Sequence, residues 1–193
     1  MRLFTALDIP AEEAEELHAW WEAANVDFHP AIWRDVPMRN WHLTLAFFGD
    51  VDGRNTDDLA EALADCASRH PPLQLAVRGF GAFPSLMRPR VLWVGVADGE
   101  ASTTGSLMRL ARCCRLAGRA TVRKRSARDE PFRGHVTLAR ASQPALPIEA
   151  EVLQAMPEMP QLAWTAGTLR LIQSILRPEG AQYRILETFP LGE

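Results

Sequence analysis

Two stretches of the chain, 40-NWHLTLAFFGD-50 and 134-GHVTLARA-141, contain the same word, His-x-Thr-Leu-Ala. In the first copy His42, Leu43, Thr44, Leu45 and Ala46 are followed by Phe47. In the second, 93 residues on, His135, Val136, Thr137, Leu138 and Ala139 are followed by Arg140. Polar and apolar residues alternate in both, as in a strand with one buried face. Alternate residues of a strand share a face. His42 and Thr44 therefore point one way and Leu43 and Leu45 the other, and Val136 and Leu138 oppose His135 and Thr137 in the same manner. The leucine faces can pack on helices, but the His-Thr faces need another destination. One such strand alone reads as an ordinary half-exposed sheet face. Two of the chain's five histidines in the same word point instead to a shared site.

Outward from these words the chain reads as alternating strands and helices. Residues 2–9 form a strand, and Pro10 suits the first turn of a helix. Leu17, Trp20, Trp21 and Ala24 then recur at helical spacing. Glu12, Glu13, Glu15 and Glu16 sit at the positive end of that helix, a solvated helix start and not a metal site. Residues 41–48 carry the first word. The next helix has the stripe Leu59, Ala62, Leu63, Cys66. Strands are expected at 73–80 and 91–97, and a third helix over 102–117 with Gly118 as its C-cap. The second word lies on a strand at 133–140. A long hairpin is expected from 162–176 and 182–189, turned by 177-RPEGAQ-182.

The order strand, helix, motif strand thus occurs twice, with His42 18 positions after Ala24 and His135 18 positions after Ala117. This echo favours a two-lobed α+β architecture of related halves, each lobe with its own strands and helices. The 193 residues are read as a single domain spanning 1–193.

Net charge is −3, so no global basic field draws the protein to nucleic acid, and anion binding must be local. Cys66, Cys113 and Cys114 are odd in number and fit no zinc spacing. They are expected to be buried free thiols in a reducing compartment. The opening MRLFTALDIP is too short in its apolar run for a signal segment, and no run approaches the roughly 20 apolar residues of a membrane helix. A cytoplasmic location without a membrane partner is the expectation.

Two histidines facing each other across a cleft can divide acid and base work near neutral pH. That division fits in-line attack at phosphorus, with one imidazole activating the nucleophile and the other protonating the leaving oxygen. Thr44, Thr137 and Arg140 can donate to the anionic oxygens. The scheme requires no metal, and no metal-binding motif is present. Phe47 and Arg140 hold equivalent places after the two words. An aromatic ring there can stack on a base, and a guanidinium can hold phosphate.

With paired His-x-Thr words and an arginine five residues after the second histidine, the sequence resembles the two-histidine (2H) phosphoesterases. Within them it is similar to the RNA 2′,3′-cyclic phosphodiesterases, also called 2′-5′ RNA ligases. The likeness extends to RLFTALDIP, 80-FGAFPSLMRPRVLWVGV-96 and LRLIQSILRPEGAQY. It implies a bilobal LigT-like fold, with two pseudo-symmetric lobes of antiparallel sheet and outer helices around a central cleft. It implies metal-independent hydrolysis of RNA 2′,3′-cyclic phosphate ends, tRNA fragments included, to 2′-phosphomonoesters. It also implies a weak reverse 2′-5′ ligation, no cofactor, and a monomer. His42, Thr44, His135 and Thr137 match the family's catalytic positions and Arg140 its phosphate-binding arginine.

The family's usual proline before the second histidine is Gly134 here, and a looser His135 is expected from it. The sequence is nearly symmetric about the two histidines; we lean to His42 as acid and His135 as base. Arg119, Arg123, Lys124, Arg125 and Arg128 can line the cleft mouth or lie on a solvated loop. Two alternatives stay open: a 2H enzyme acting mainly on a small cyclic nucleotide or a 2′-5′ oligonucleotide, and an RNA-end-binding protein without turnover.

Overall fold

The structure is a computed structural model that describes residues 1–25, 28–100, 105–122, 131–177 and 180–192. Its strands are β1 (Arg2–Leu7), β2 (Trp33–Asp35), β3 (Leu43–Asp50), β4 (Leu73–Phe83), β5 (Val91–Asp98), β6 (His135–Ala141), β7 (Ala163–Ala166), β8 (Thr168–Arg177) and β9 (Gly180–Pro190). Its α-helices are α1 (Ala11–Ala24), α2 (Thr56–Ser68), α3 (Ser106–Thr121) and α4 (Ala150–Ala155). The strands form two antiparallel sheets, one in the order β3-β1-β8-β9 and one in the order β2-β6-β5-β4-β7. This is the expected α+β bilobal architecture, and the two motif strands β3 and β6 belong to different sheets. Among the described residues no helix is long and apolar enough to cross a membrane.

The internal echo holds for the strands. β1 pairs antiparallel with β3, and β5 pairs antiparallel with β6, each pair joined through a helix. It does not hold for the helices, because each helix covers the other half's sheet. On α1, Trp20 and Trp21 pack on Phe80 of β4, and Trp21 Nε1 donates to Asp35 Oδ1 of β2 at 3.0 Å. α3 packs mainly on α2 and β3, and only lightly on β5 of its own half. The expectation of two lobes with their own helices is corrected accordingly. The aromatic bulk of α1 finds its complement in Phe80 of β4 and in Phe28, which lies ahead of β2 and itself packs on Trp33 and Phe80, and this exchange joins the halves into one apolar core.

Three other expectations are revised. Gly118 does not end α3, which runs on to Thr121. It lies inside the helix where the Phe48 ring comes so close that a Cβ would overlap it. The segment 162–176 is not one strand. It divides at Gly167, with β7 pairing to β4 in the second sheet and β8 to β1 in the first. The third concerns the thiols. Packing of α2 on α3 brings the Cα atoms of Cys66 and Cys113 to 6.0 Å, within the span of a disulfide, and the two are bonded. Only Cys114 is a buried free thiol, and burial pushes it up to about 12. The contact spans two helices, so cysteine spacing along the chain carried no trace of it.

Candidate active site

Strict alternation places residues five apart on opposite faces of a strand, so Phe47 and Arg140 should turn away from their histidines. The register shows why they do not. On β3, Thr44 is opposite Ala6 of β1 while Ala46 is opposite Thr5, leaving Leu45 as an extra residue. On β6, Thr137 is opposite Trp93 of β5 while Ala139 is opposite Leu92, leaving Leu138 as an extra residue. Each is a β-bulge, and each falls on the leucine of His-x-Thr-Leu-Ala. One inserted residue reverses the parity that follows it. Phe47 is thereby returned to the Thr44 face and Arg140 to the Thr137 face. The burial pattern agrees, with Leu45–Ala46 and Leu138–Ala139 as consecutive buried pairs followed by exposed Phe47 and Arg140. Burying a leucine stabilises by about 1.5–3 kcal/mol. That exceeds the roughly 1 kcal/mol net loss of one ladder hydrogen bond, so an apolar side chain can hold a bulge.

The two histidines are built alike. His42 Nδ1 lies 2.7 Å from the Asn40 carbonyl oxygen, and His135 Nδ1 lies 2.7 Å from the Arg133 carbonyl oxygen, each two residues upstream. A carbonyl only accepts, so Nδ1–H donates in both rings, and Nε2 of the neutral ring keeps its lone pair. The orienting residues are themselves anchored. Asn40 Nδ2 donates to the Ala181 carbonyl at 3.1 Å, and the Arg133 guanidinium sits 5.5 Å from the Trp93 ring centroid. Aromatic walls hold the imidazoles. Phe4 and Tyr183 flank His42 at 4.9 and 5.1 Å between centroids, and Phe83 and Trp93 flank His135 at 4.9 and 6.2 Å. Phe47, 5.7 Å from Phe4, extends the first wall while remaining 57% exposed.

The two halves share one electrostatic environment. β3 and β6 approach within 8 Å between Cα atoms. The His42 imidazole is lowered to about 4, by burial first and then by the charges of Arg140 and His135, against the favourable bond to the Asn40 carbonyl. His135 is also lowered, by burial first and then by Arg140 and Arg133, while its bond to the Arg133 carbonyl opposes the shift. Arg140 thus acts on both imidazoles. Without an anion between them, both rings are neutral at pH 7.

All six residues selected from the sequence, His42, Thr44, Phe47, His135, Thr137 and Arg140, lie on the inner faces of the two motif strands. Asn40, Arg133, Phe4, Tyr183, Phe83 and Trp93 were not selected from sequence. Lone aromatic, amide or arginine side chains carry no local signal there, although Phe4, Phe83, Trp93 and Tyr183 fall within the runs that carry the resemblance and Asn40 opens the first motif stretch. Arg119 is exposed on the last turn of α3, whereas Arg123, Lys124, Arg125 and Arg128 lie outside the described residues.

Gly134 departs from the expectation of looseness. Its carbonyl accepts from Val96 N at 2.9 Å. A Cβ on it would overlap the Val96 carbonyl oxygen and crowd the Leu107 side chain. The residue before His135 is therefore closely packed, and glycine is there for want of space.

Paired His-x-Thr words on the inner faces of two antiparallel sheets define a 2H phosphoesterase, and the chain belongs to that family of phosphodiesterases. Within it, the LigT-like phosphoesterase model matches residues 7–93. The RNA 2′,3′-cyclic phosphodiesterase of Thermus thermophilus is 33% identical, over 99% of this chain and 90% of the relative. The crystal structure of TT0787, also from Thermus thermophilus, superposes with a TM-score of 0.79 at 31% identity, covering all of both chains. Escherichia coli LigT complexed with 3′-AMP superposes with a TM-score of 0.74 at 28% identity, covering 100% of this chain and 98% of that one.

The packing and the charge of the site can each be tested. Gly134→Pro, which restores the family's usual residue, should lower stability by roughly 1–3 kcal/mol through overpacking. A thermal melt checks this, and an unchanged or raised midpoint would refute it. The second test concerns pH. An unfolded histidine titrates near 6.5, whereas folded His42 titrates near 4. Between these values the unfolded chain binds a proton that His42 does not. Its stability contribution is whole above pH 6.5 and is lost as pH falls to about 4, by up to about 3 kcal/mol. Urea unfolding from pH 7 to 4 should therefore weaken the wild type more than His42→Gln. Parallel losses would contradict the assignment.

Proposed function

We propose that the cleft hydrolyses RNA 2′,3′-cyclic phosphate ends to 2′-phosphomonoesters, without a metal ion. The carrying observation is the matched pair of imidazoles, each with Nδ1–H bound to a carbonyl so that Nε2 holds the lone pair, under the charge of one shared arginine. Water attacks phosphorus in line with the P–O3′ bond. Nε2 of one histidine takes a proton from that water as the new P–O bond forms. Nε2 of the other gives a proton to O3′ as the P–O3′ bond breaks. Thr44, Thr137 and Arg140 bond the equatorial oxygens, whose charge grows in the transition state. Phe47 stacks on the terminal base.

We assign the acid to His42 and the base to His135. Two guanidiniums, Arg140 and Arg133, disfavour a charged His135. Burial is the main force keeping both rings neutral, but at His42 only one guanidinium, Arg140, adds to it, so a phosphate anion restores a charged His42 more readily. The names of the relatives and the 3′-AMP bound by Escherichia coli LigT support a nucleotide terminus as substrate. With a 5′-hydroxyl in place of water as the nucleophile, the same steps join that hydroxyl to a cyclic end through a 2′-5′ linkage, the new P–O5′ bond forming as P–O3′ breaks. Because the site needs one strand from each sheet, we infer that residues 1–193 act as one domain. Both histidines come from one chain, so a monomer suffices.

The test is turnover of an oligoribonucleotide with a 2′,3′-cyclic end in EDTA, with cyclic mononucleotides and 2′-5′ oligonucleotides as competitors. The wild type should release only the 2′-phosphate. His42→Ala and His135→Ala should each lose roughly 10²–10⁴-fold in kcat. Loss of His42 should remove the alkaline limb of the pH–rate profile, and loss of His135 the acidic limb. Inactivation by EDTA, or a 3′-phosphate product, would overturn the proposal. Exchanged limbs would reverse the two roles.

A further inference from the structure

The cation nearest Arg140 along the sheet is Arg34, on the three-residue edge strand β2. It is paired directly opposite Arg140 in the β2–β6 ladder. Opposed residues of an antiparallel pair share a face, and their Cα atoms lie about 4.5–5.5 Å apart. Arg34 thus stands on the cleft face beside Arg140. Its strand neighbours confirm this orientation. Trp33 packs on Phe28, and Asp35 accepts from Trp21 Nε1 at 3.0 Å, both toward α1.

Like charges directly opposite each other on a sheet are unfavourable. Nothing among the described residues relieves this pair, since neither Arg34 nor Arg140 makes an ion pair there. The nearest carboxylate in sequence, Asp35, is committed to the other face. β2 is also held at both ends. Val36 N donates to the Leu138 carbonyl at 2.7 Å, and Ser142 N donates to the Ile32 carbonyl at 2.7 Å. Two exposed arginines opposite each other on an anchored stretch of backbone, in a chain of net charge −3, make a local concentration of positive charge suited to an anion.

We propose that Arg34 is a second phosphate subsite, taking the phosphodiester one nucleotide upstream of the reacting cyclic phosphate. The proposal rests on the reading of the cleft as an RNA-end hydrolase. Arg140 acts on both histidines, whereas Arg34 is not among the charges that perturb either of them. The cations therefore step outward from the reaction centre, with Arg140 on the reacting phosphate and Arg34 on the next. A terminal nucleotide in the cleft must continue to its 5′ side as a chain whose first linkage is a phosphodiester. A cyclic mononucleotide lacks that group. Arg34 thus makes the enzyme select polymer ends over free cyclic mononucleotides.

The experiment compares wild type, Arg34→Ala and Arg34→Gln on two substrates. One is a trinucleotide ending in 2′,3′-cyclic phosphate, and the other is the matching 2′,3′-cyclic mononucleotide with a free 5′-hydroxyl. Loss of the charge should raise KM for the trinucleotide on the order of tenfold with little change in kcat. It should also flatten the dependence of log KM on log salt by about 0.7. The mononucleotide, which has no group for Arg34 to hold, reports on folding and should change less than twofold. Equal losses on both substrates, or no loss on either, overturn the subsite. If the wild type turns over neither substrate, the hydrolase reading fails. Fluorescence anisotropy with a 2′-phosphorylated trinucleotide then decides the subsite alone: binding about tenfold weaker in Arg34→Ala upholds it, and equal binding ends it.

Discussion

The site depends on one inserted residue in each of two strands. A strand offers every second side chain to a given face, and a one-residue slip exchanges the faces entirely. Leu45 and Leu138 are such insertions, placed after the His-x-Thr of each word. Upstream of them, histidine and threonine face the cleft while Leu43 and Val136 enter the core. Downstream, Phe47 and Arg140 are brought back to the cleft, although their spacing alone would turn them outward. The bulged leucines are themselves core residues, 3% and 0% exposed, so the distortion is held by apolar burial rather than by polar contacts that water would compete for. The repeated word therefore encodes a local backbone shape together with a set of functional groups.

Around that shape the two halves differ in ways that break their symmetry. His42 is enclosed by Phe4 and Tyr183, and His135 by Phe83 and Trp93 with a guanidinium stacked beyond. Burial in aromatic surroundings disfavours the charged imidazole at both positions. The protein is thus charge-poor at its histidines and cation-rich where Arg140 and Arg34 stand opposite each other. Helix exchange between the sheets stiffens the arrangement, because α1 and α3 each bind the opposite half and the two motif strands cannot part without opening the core.

Much of this was legible in the sequence, and the reasons differ by element. The duplicated word disclosed its own strands, and the stripe Leu17, Trp20, Trp21, Ala24 disclosed α1. Periodicity reports which residues are buried but not against what, so the exchange of helices was hidden, as was the Cys66–Cys113 pairing across α2 and α3. Gly118 and Gly134 were misread for one reason. Glycine suggests freedom in a sequence, while here it marks the lack of room for a Cβ beside Phe48 and Val96. β2 was missed because three residues carry no period, and Arg34 with it. The six residues picked from the sequence lie on two neighbouring strands, four of them in the word that occurs twice and two in the position that follows it. The residues that orient them were missed, since each acts through a carbonyl or a ring face.

The central claim is that both words contact a single phosphate. The most direct measurement is a crystal structure of the protein with a nucleoside 2′-phosphate, the product of the proposed reaction. The phosphate should lie within hydrogen-bond distance of Nε2 of both His42 and His135, with Thr44, Thr137 and Arg140 on its remaining oxygens. A phosphate bound by one histidine alone, or held away from the inner faces of β3 and β6, would contradict the account.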